Sequence, residues 1–216
     1  VKTYGPMLNK TSAAGNDEVM RTFIVNGSDR MPAFKYYLKP VEIDALWYNA
    51  LRIASDYAAR LGRIEQAGKW RNSAARNQAS FNERFWNAQA GCLYDVVDVD
   101  GRAGVCDGAI RPNQLLAISL THPVLNQDRW AAVVGVCQRE LLTPIGLRTL
   151  SPSDPAYRGR YDGDLITRDS AYHQGTVWPW LLGPFITAQV KAHGGDDAAR
   201  TAARRFLDGL TAHLAE

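Results

Sequence analysis

Pro40-Val-Glu-Ile-Asp-Ala-Leu-Trp-Tyr-Asn-Ala-Leu-Arg-Ile-Ala-Ser-Asp-Tyr-Ala-Ala-Arg-Leu-Gly62 is the stretch whose reading decides the fold. Val41, Ala45, Leu46, Ala50, Ile53, Ala54, Tyr57, Ala58 and Leu61 recur at about one helical turn, the spacing of an apolar stripe on an α-helix rather than the alternation of a strand. Proline at the start has the φ that a helix requires and lacks only an N–H that would go unpaired there. Gly62 is the residue that most easily takes the left-handed conformation that closes a helix. After a two-residue break, Ile64, Ala67, Trp70, Ala74, Ala75, Phe81 and Phe85 form a second stripe. So short a connection makes the two helices an antiparallel hairpin.

Downstream the same reading continues. Gly91 to Gly104 sets Leu93, Val97 and Val99 against Asp95, Asp98 and Asp100 and turns at Asp100-Gly101, which predicts a small β excursion that pads or edges a site. A third helix opens at Arg111-Pro112-Asn113-Gln114 and closes before Pro123; a fourth spans Asp128 to Leu142 and ends at Thr143-Pro144. The stretch from Thr143 to Tyr172 has no sustained period, and loops of that length are usually functional. A fifth helix runs from beyond His173 to about His193, and Gly194-Gly195 breaks it. A sixth starts on an Asp196-Asp197 cap and carries Ala199, Ala203, Phe206, Leu207, Leu210 and Leu214. Residues 1–38 are punctuated by glycine, proline and asparagine and read as irregular, with a short element near Thr22 to Val25.

Three helical hairpins in series imply an all-α chain with little sheet. The polar motifs add a constraint. Pro40-Val41-Glu42 precedes the first helix, Arg111-Pro112-Asn113 the third and Tyr172-His173-Gln174 the fifth, and in an up-and-down array alternate helices are parallel. All three motifs therefore fall on one rim, which is how a pocket is assembled from distant sequence. Arg168-Asp169-Ser170-Ala171-Tyr172-His173-Gln174-Gly175-Thr176-Val177-Trp178-Pro179-Trp180 concentrates cation, carboxylate, imidazole and aromatic rings at a helix start, where unpaired N–H groups face outward.

Composition excludes several function classes. The chain has 216 residues, 46% hydrophobic, with a net charge of +3 and both signs interspersed, so neither a nucleic-acid track nor a basic membrane face is indicated. No apolar run is long enough for a membrane span and no signal segment opens the chain, which points to the cytoplasm. Three widely spaced cysteines, Cys92, Cys106 and Cys137, fit thiols of a reducing compartment rather than a disulfide frame. His122, His173, His193 and His213 share no metal-ligand spacing, and no cofactor fingerprint is present.

Four motifs resemble the C-terminal glucosidase domain of glycogen debranching enzymes, the amylo-α-1,6-glucosidase family: Lys39-Pro40-Val41-Glu42-Ile43-Asp44-Ala45-Leu46-Trp47-Tyr48-Asn49-Ala50, Ile110-Arg111-Pro112-Asn113-Gln114, Leu142-Thr143-Pro144-Ile145-Gly146-Leu147-Arg148-Thr149-Leu150 and the Arg168–Trp180 stretch. The resemblance runs over 39–216 and leaves 1–38 outside it. It implies an (α/α)6 toroid of helical hairpins, of which six helices are about half, and hydrolysis of α-1,6-glucosidic branch points in glycogen or related α-glucans with inversion. It also implies that the general acid, in a Trp-Met-Asp motif before the first helix, and the general base, a downstream Glu, lie outside this chain, since no Trp precedes Trp47. The binding shell does match. Glu42, Arg111, Asn113, Arg168, Asp169, His173 and Gln174 are suited to sugar hydroxyls, and Trp178 or Trp180 to the apolar ring face. Each has a plainer role to weigh against this: Trp47 and Trp180 as core residues, Arg111 paired with Asp107, Arg168 with Asp169. If this chain alone turned over, its acid and base would come from Glu42, Asp154, Asp162, Asp164 or Asp169. The reading from another class is a non-catalytic glycan-binding half-toroid that self-associates through its open edge.

Overall fold

The structure, a computed structural model, describes residues 39–215, so the element expected near Thr22 to Val25 lies outside the described residues. Helices α1 (Pro40–Arg60) and α2 (Ile64–Arg84) form the expected hairpin, closed by Gly62 at φ 72°. The face that α1 buries keeps Val41, Ala45 and Ala58 of the expected stripe and exchanges the rest. Val41, Ala45, Tyr48, Leu51, Ser55 and Ala58 point inward, whereas Leu46, Tyr57 and Leu61 are exposed. Both sets lie at helical spacing, and the inward one wins because Ser55 Oγ donates to the Ala67 carbonyl of α2 at 2.9 Å and so loses no hydrogen bond on burial.

Beyond α2 a two-residue ribbon, β1 (Trp86–Asn87) with β2 (Cys92–Leu93), pairs Trp86 with Leu93 and Asn87 with Cys92. The β excursion is therefore present in the expected stretch, where Val96 bridges Asp107 antiparallel and the Val99 N–H donates to the Val105 carbonyl, although it begins earlier, at Trp86. Between these flanks the chain takes positive φ at Asp98 and Asp100 and turns through a 3-10 segment, Val99–Gly101. The third helix is also shorter than expected. Pro112–Leu115 is a 3-10 turn that runs into α3 (Leu116–Ser119), one turn long. Its last carbonyls are satisfied from outside, since Lys191 Nζ donates to Ile118, Ser119 and Leu120.

A 3-10 turn, Gln127–Arg129, leads into α4 (Trp130–Leu141), whose Val133, Val134, Val136, Cys137 and Leu141 are buried as the periodicity requires. The stretch read as loop holds order of its own: β3 (Leu142–Thr143), β4 (Gly146–Arg148) and α5 (Leu165–Ala171). Strand β5 (Val177–Trp178) then joins β4, pairing Leu147 with Trp178 and Arg148 with Val177. This small antiparallel sheet brings the 142–150 and 168–180 motifs side by side. The approach is tight enough that a Cβ on Gly146 would lie 2.7 Å from the Trp178 backbone. A 3-10 turn, Pro179–Leu181, opens α6 (Leu182–Ala192), and α7 (Asp197–Arg204) and α8 (Asp208–Leu214) follow, joined through a 3-10 turn, Arg205–Leu207.

The core is mainly helical, with Leu93 of β2 and Leu147 of β4 joining it. Helix α6 packs against α3, α4 and α7, and α1 against α2 and α3. Val41, Tyr48, Leu51, Phe81, Leu115, Ile118, Val133, Cys137, Leu141, Leu182 and Phe185 meet in one cluster, in which Phe81 and Phe85 stack at 4.8 Å between centroids. Each large apolar side chain withdrawn from water contributes roughly 1.5–3 kcal/mol, more than the short strands can. One polar residue joins this interior. Asn82 donates to the Gln78 and Val124 carbonyls and accepts from the Asn126 N–H, each at 2.8 Å, tying α2 to the connection before α4. Among the described residues no helix is long and apolar enough to cross a membrane.

Candidate functional site

Three chain segments that start helices meet at one end of this core. The first supplies Glu42, whose Oε2 accepts from the Lys39 N–H at 2.8 Å, a contact that fixes the carboxylate over the first turn of α1. The second supplies Arg111 and Asn113. Pro112 sets the 3-10 turn there, and the extended backbone of Arg111 (φ −129°, ψ 158°), imposed by the proline after it, directs the guanidinium away from the helix. The third supplies His173 and Gln174, on the connection between α5 and β5.

Arg111 joins these parts. Its Nη1 donates to the Thr149 carbonyl at 3.1 Å and to the His173 carbonyl, and its Nη2 to Gln174 Oε1 at 3.0 Å. Its Nε faces Asp95 Oδ2 at 3.5 Å, an ion pair in which both side chains are almost fully buried. Asp95 Oδ1 accepts from Asn113 Nδ2 at 2.9 Å, so this one carboxylate positions both polar residues of the second motif. Arg111 therefore pairs with Asp95 and not with Asp107, whose Oδ1 accepts the Ala109 N–H.

The electrostatics tie the cluster together. Burial raises the carboxyl of Glu42 above its ordinary value; the Lys39 N–H opposes this, and the nearby Asp95 charge reinforces it. Burial likewise raises Asp95, against the pull of Asn113, Arg111 and Lys39. Burial lowers His173, and the charges of Arg111 and Lys39 lower it further, so its imidazole is neutral at pH 7. Asp95 is enclosed behind Arg111, so Glu42 and this neutral imidazole are the groups left to exchange hydrogen bonds with uncharged hydroxyls.

Gly175 lets the third segment lie close against the 149–158 stretch. It has φ 136°, its N–H donates to Thr149 Oγ1 at 2.9 Å, and a Cβ there would lie 2.5 Å from the Arg158 carbonyl. Beside His173 the rings continue: Tyr172 lies 4.8 Å from the His173 ring and 4.8 Å from that of Trp178. Trp180 is 66% exposed and so is no core residue, while Trp47 is partly buried against the core.

The structure thus gathers Glu42, Arg111, Asn113, His173 and Gln174. Arg168 and Asp169 do not join them. Both ride on α5 as exposed residues, and their recorded contacts are backbone ones, Arg168 N–H to Asp164 and Asp169 carbonyl from Tyr172. Of the acids weighed as catalysts, Asp164 caps α5 through the Thr167 N–H, Asp154 accepts the Ala156 N–H in a turn, and Asp162 and Asp169 are exposed, which leaves Glu42 in the cluster. Sequence reasoning missed Asp95 and Thr149. Asp95 read as the polar half of an alternating strand, although a carboxylate closely flanked by Cys92, Leu93, Val96 and Val97 signals a buried charge in need of a partner.

A profile of the family described as amylo-alpha-1,6-glucosidase matches residues 10–216, which reaches upstream of the motifs that carry the resemblance. The glycogen debranching enzyme of Saccharomyces cerevisiae is 33% identical over 88 residues, 38% of this chain and 6% of the yeast protein. The alignment spans only a small part of that relative's length. With the family profile covering nearly all of the described fold and the polar cluster built from its motifs, the chain belongs to the amylo-α-1,6-glucosidase family.

Proposed function

We propose that this chain forms the sugar-binding wall of a glycoside hydrolase domain that cleaves α-1,6-glucosidic branch points of glycogen or a related α-glucan with inversion. The observation that carries this reading is the convergence of Glu42, Arg111, Asn113, His173 and Gln174, from three distant helix starts, around one buried arginine–aspartate pair. A glucose unit presents hydroxyls on every side and no charge. A shell of neutral imidazole, amides and carboxyl groups with raised proton affinity matches it, where a phosphate or nucleotide would call for a surplus of cations.

In the complete domain we expect an (α/α)6 ring of which this chain is a part; its eight described helices exceed the six expected because the short α5 falls in the stretch read as loop and the last expected helix is split into α7 and α8. Inversion needs one carboxyl to protonate the leaving oxygen and another, about 6.5–9.5 Å away, to activate water. We assign neither role to Glu42, which the Lys39 N–H holds, nor to Asp95, which is closed off behind Arg111; the family resemblance implies an acid and base in segments outside this chain. Each such role is worth about 10²–10⁴-fold in rate. The isolated chain should then bind branched oligosaccharides weakly and release negligible glucose. Glucose release from panose is the test: robust turnover abolished by Glu42→Gln or Asp169→Asn would refute this division of labour.

A second reading is favoured by α1. Leu46, Tyr57 and Leu61 are 38%, 62% and 69% exposed at helical spacing, an apolar face suited to another helix. On that reading the chain is a non-catalytic glycan-binding half-ring that completes itself with a second copy. Sedimentation of wild type against Tyr57→Glu separates the two, since only self-completion gives a dimer that the charge disrupts.

A further inference from the structure

We propose that Tyr161, Tyr172 and Trp178 form a second sugar subsite, which receives the ring face of an α-glucan main-chain glucose next to the unit held by the Arg111 cluster. This rests on the reading above and adds the part of the substrate that lies beyond the branch glucose. The three rings pack on one another, with centroids 6.0 Å apart for Tyr161 and Tyr172, 6.4 Å for Tyr161 and Trp178, and 4.8 Å for Tyr172 and Trp178. Yet Tyr161 and Tyr172 remain 44% and 39% exposed. Rings clustered for stability alone are ordinarily covered; these two tyrosines stay partly open to water.

The cluster is anchored rather than loose. Trp178 lies in β5, paired with Leu147, and its Nε1 donates to the Tyr172 carbonyl at 3.4 Å. Tyr172 precedes His173, whose carbonyl Arg111 holds, and the Tyr172 and His173 rings touch at 4.8 Å. The apolar surface is therefore continuous with the polar cluster. That continuity selects the occupant: a ligand that needs hydroxyl partners at one end and an uncharged, weakly apolar ring face at the other is a chain of hexoses. Sugar C–H groups meet the faces of electron-rich rings favourably, and a rigid platform does not lose entropy when the ligand arrives.

The test is calorimetric titration of the 216-residue chain with D-glucose and with panose, a trisaccharide that carries an α-1,6 bond next to an α-1,4 bond. Wild type is expected to bind panose more tightly than glucose. Tyr161→Ala should weaken panose about three- to tenfold, the worth of one aromatic contact, and leave glucose unchanged. Tyr161→Phe should restore panose binding, because the ring and not the hydroxyl is used. Tyr161 is exposed, so the substitution leaves the fold intact, which circular dichroism verifies. Panose binding that survives Tyr161→Ala overturns the subsite and leaves the Arg111 cluster standing. So does an equal loss for both sugars, or a wild-type dimer that Tyr161→Ala dissolves with no change in panose affinity. Failure of wild type to bind either sugar overturns the glycan reading as well.

Discussion

Replacing Arg111 by Met tests whether the cluster is built as described. The substitution keeps much of the side-chain volume but removes the donors to the Thr149 carbonyl, the His173 carbonyl and Gln174 Oε1, and the cation facing Asp95. Breaking a buried pair from one side costs about 3–5 kcal/mol, since the remaining charge stays out of water. For a chain of this size that lowers the melting temperature by roughly 6–20 °C. The cost depends on pH with a definite sign. Burial already places the Asp95 carboxyl above its ordinary value, and Arg111 pulls it down; without Arg111 it rises further. A carboxyl with a folded-state pKa above its unfolded value binds more protons in the native state, so stability rises as pH falls through that folded pKa. His173 acts in the same direction, because Arg111 also depresses its pKa. The deficit of Arg111→Met relative to wild type should therefore shrink between pH 7.5 and pH 5, and Asp95→Asn should remove most of that dependence. Urea unfolding followed by circular dichroism measures wild type, Arg111→Met, Asp95→Asn and the double variant. A deficit under about 1 kcal/mol, or one that is flat with pH, would refute the claim that Asp95 is buried against Arg111.

Further outcomes follow from other contacts. Asn82→Ala leaves the Val124 carbonyl and the Asn126 N–H without partners and should cost about 2–4 kcal/mol in chemical denaturation; a loss below 0.5 kcal/mol, on the order of a surface change, would mean water replaces the amide. Lys191→Met uncaps α3 and should destabilise by about 1–3 kcal/mol, with amide exchange accelerating first at Leu120 to His122 if the cap is the cause. Gly175→Ala must strain a φ of 136° and displace the 157–158 segment, so it should weaken panose binding as well as stability. The His173 imidazole should titrate below the usual histidine range by proton NMR and move upward in Arg111→Met; an unchanged titration would separate the two residues.

How far the fold was legible follows from where periodicity carries information. Helices α1, α2 and α4 announce themselves because proline, glycine and long apolar stripes mark their ends and faces. The inward face of α1 was misjudged in part because that helix has two apolar faces, and choosing between Tyr48 and Tyr57 requires knowing what stands opposite. Short elements escaped for a related reason. The one-turn α3 and the two- and three-residue strands β3, β4 and β5 contain too few residues to show a period, and pairings such as Leu147 with Trp178 are set by tertiary contacts. In the site, Glu42, Arg111, Asn113, His173 and Gln174 were named from motifs just ahead of helical segments, which a sequence displays, while the contacts among them are tertiary. Asp169 was expected beside them by its place in the motif, but α5 turns it outward, and the helix was hidden in a stretch of turn-forming residues.

Asp95 shows why a site has a back as well as a front. Its Oδ2 and the Nε of Arg111 are both shut off from solvent, lack hydrogen-bond partners and face each other at 3.5 Å, so neither reaches a ligand. Burying that pair is a cost to the fold, visible in the raised proton affinity of Asp95. An apolar pair of the same volume would serve stability better. What the carboxylate does instead is fix two side chains that are more open: Asn113, through its amide, and Arg111, whose outer nitrogens then hold His173 and Gln174 in place. The rim is thus supported from within by a charge that costs stability, and local sacrifice of that kind is expected where geometry is being held for a ligand rather than for the core. Stability and binding therefore pull apart at this position. Replacing both partners, Asp95→Leu together with Arg111→Met, should leave the chain as stable as wild type or more so, while its glycan affinity falls because Asn113, His173 and Gln174 are no longer held in register.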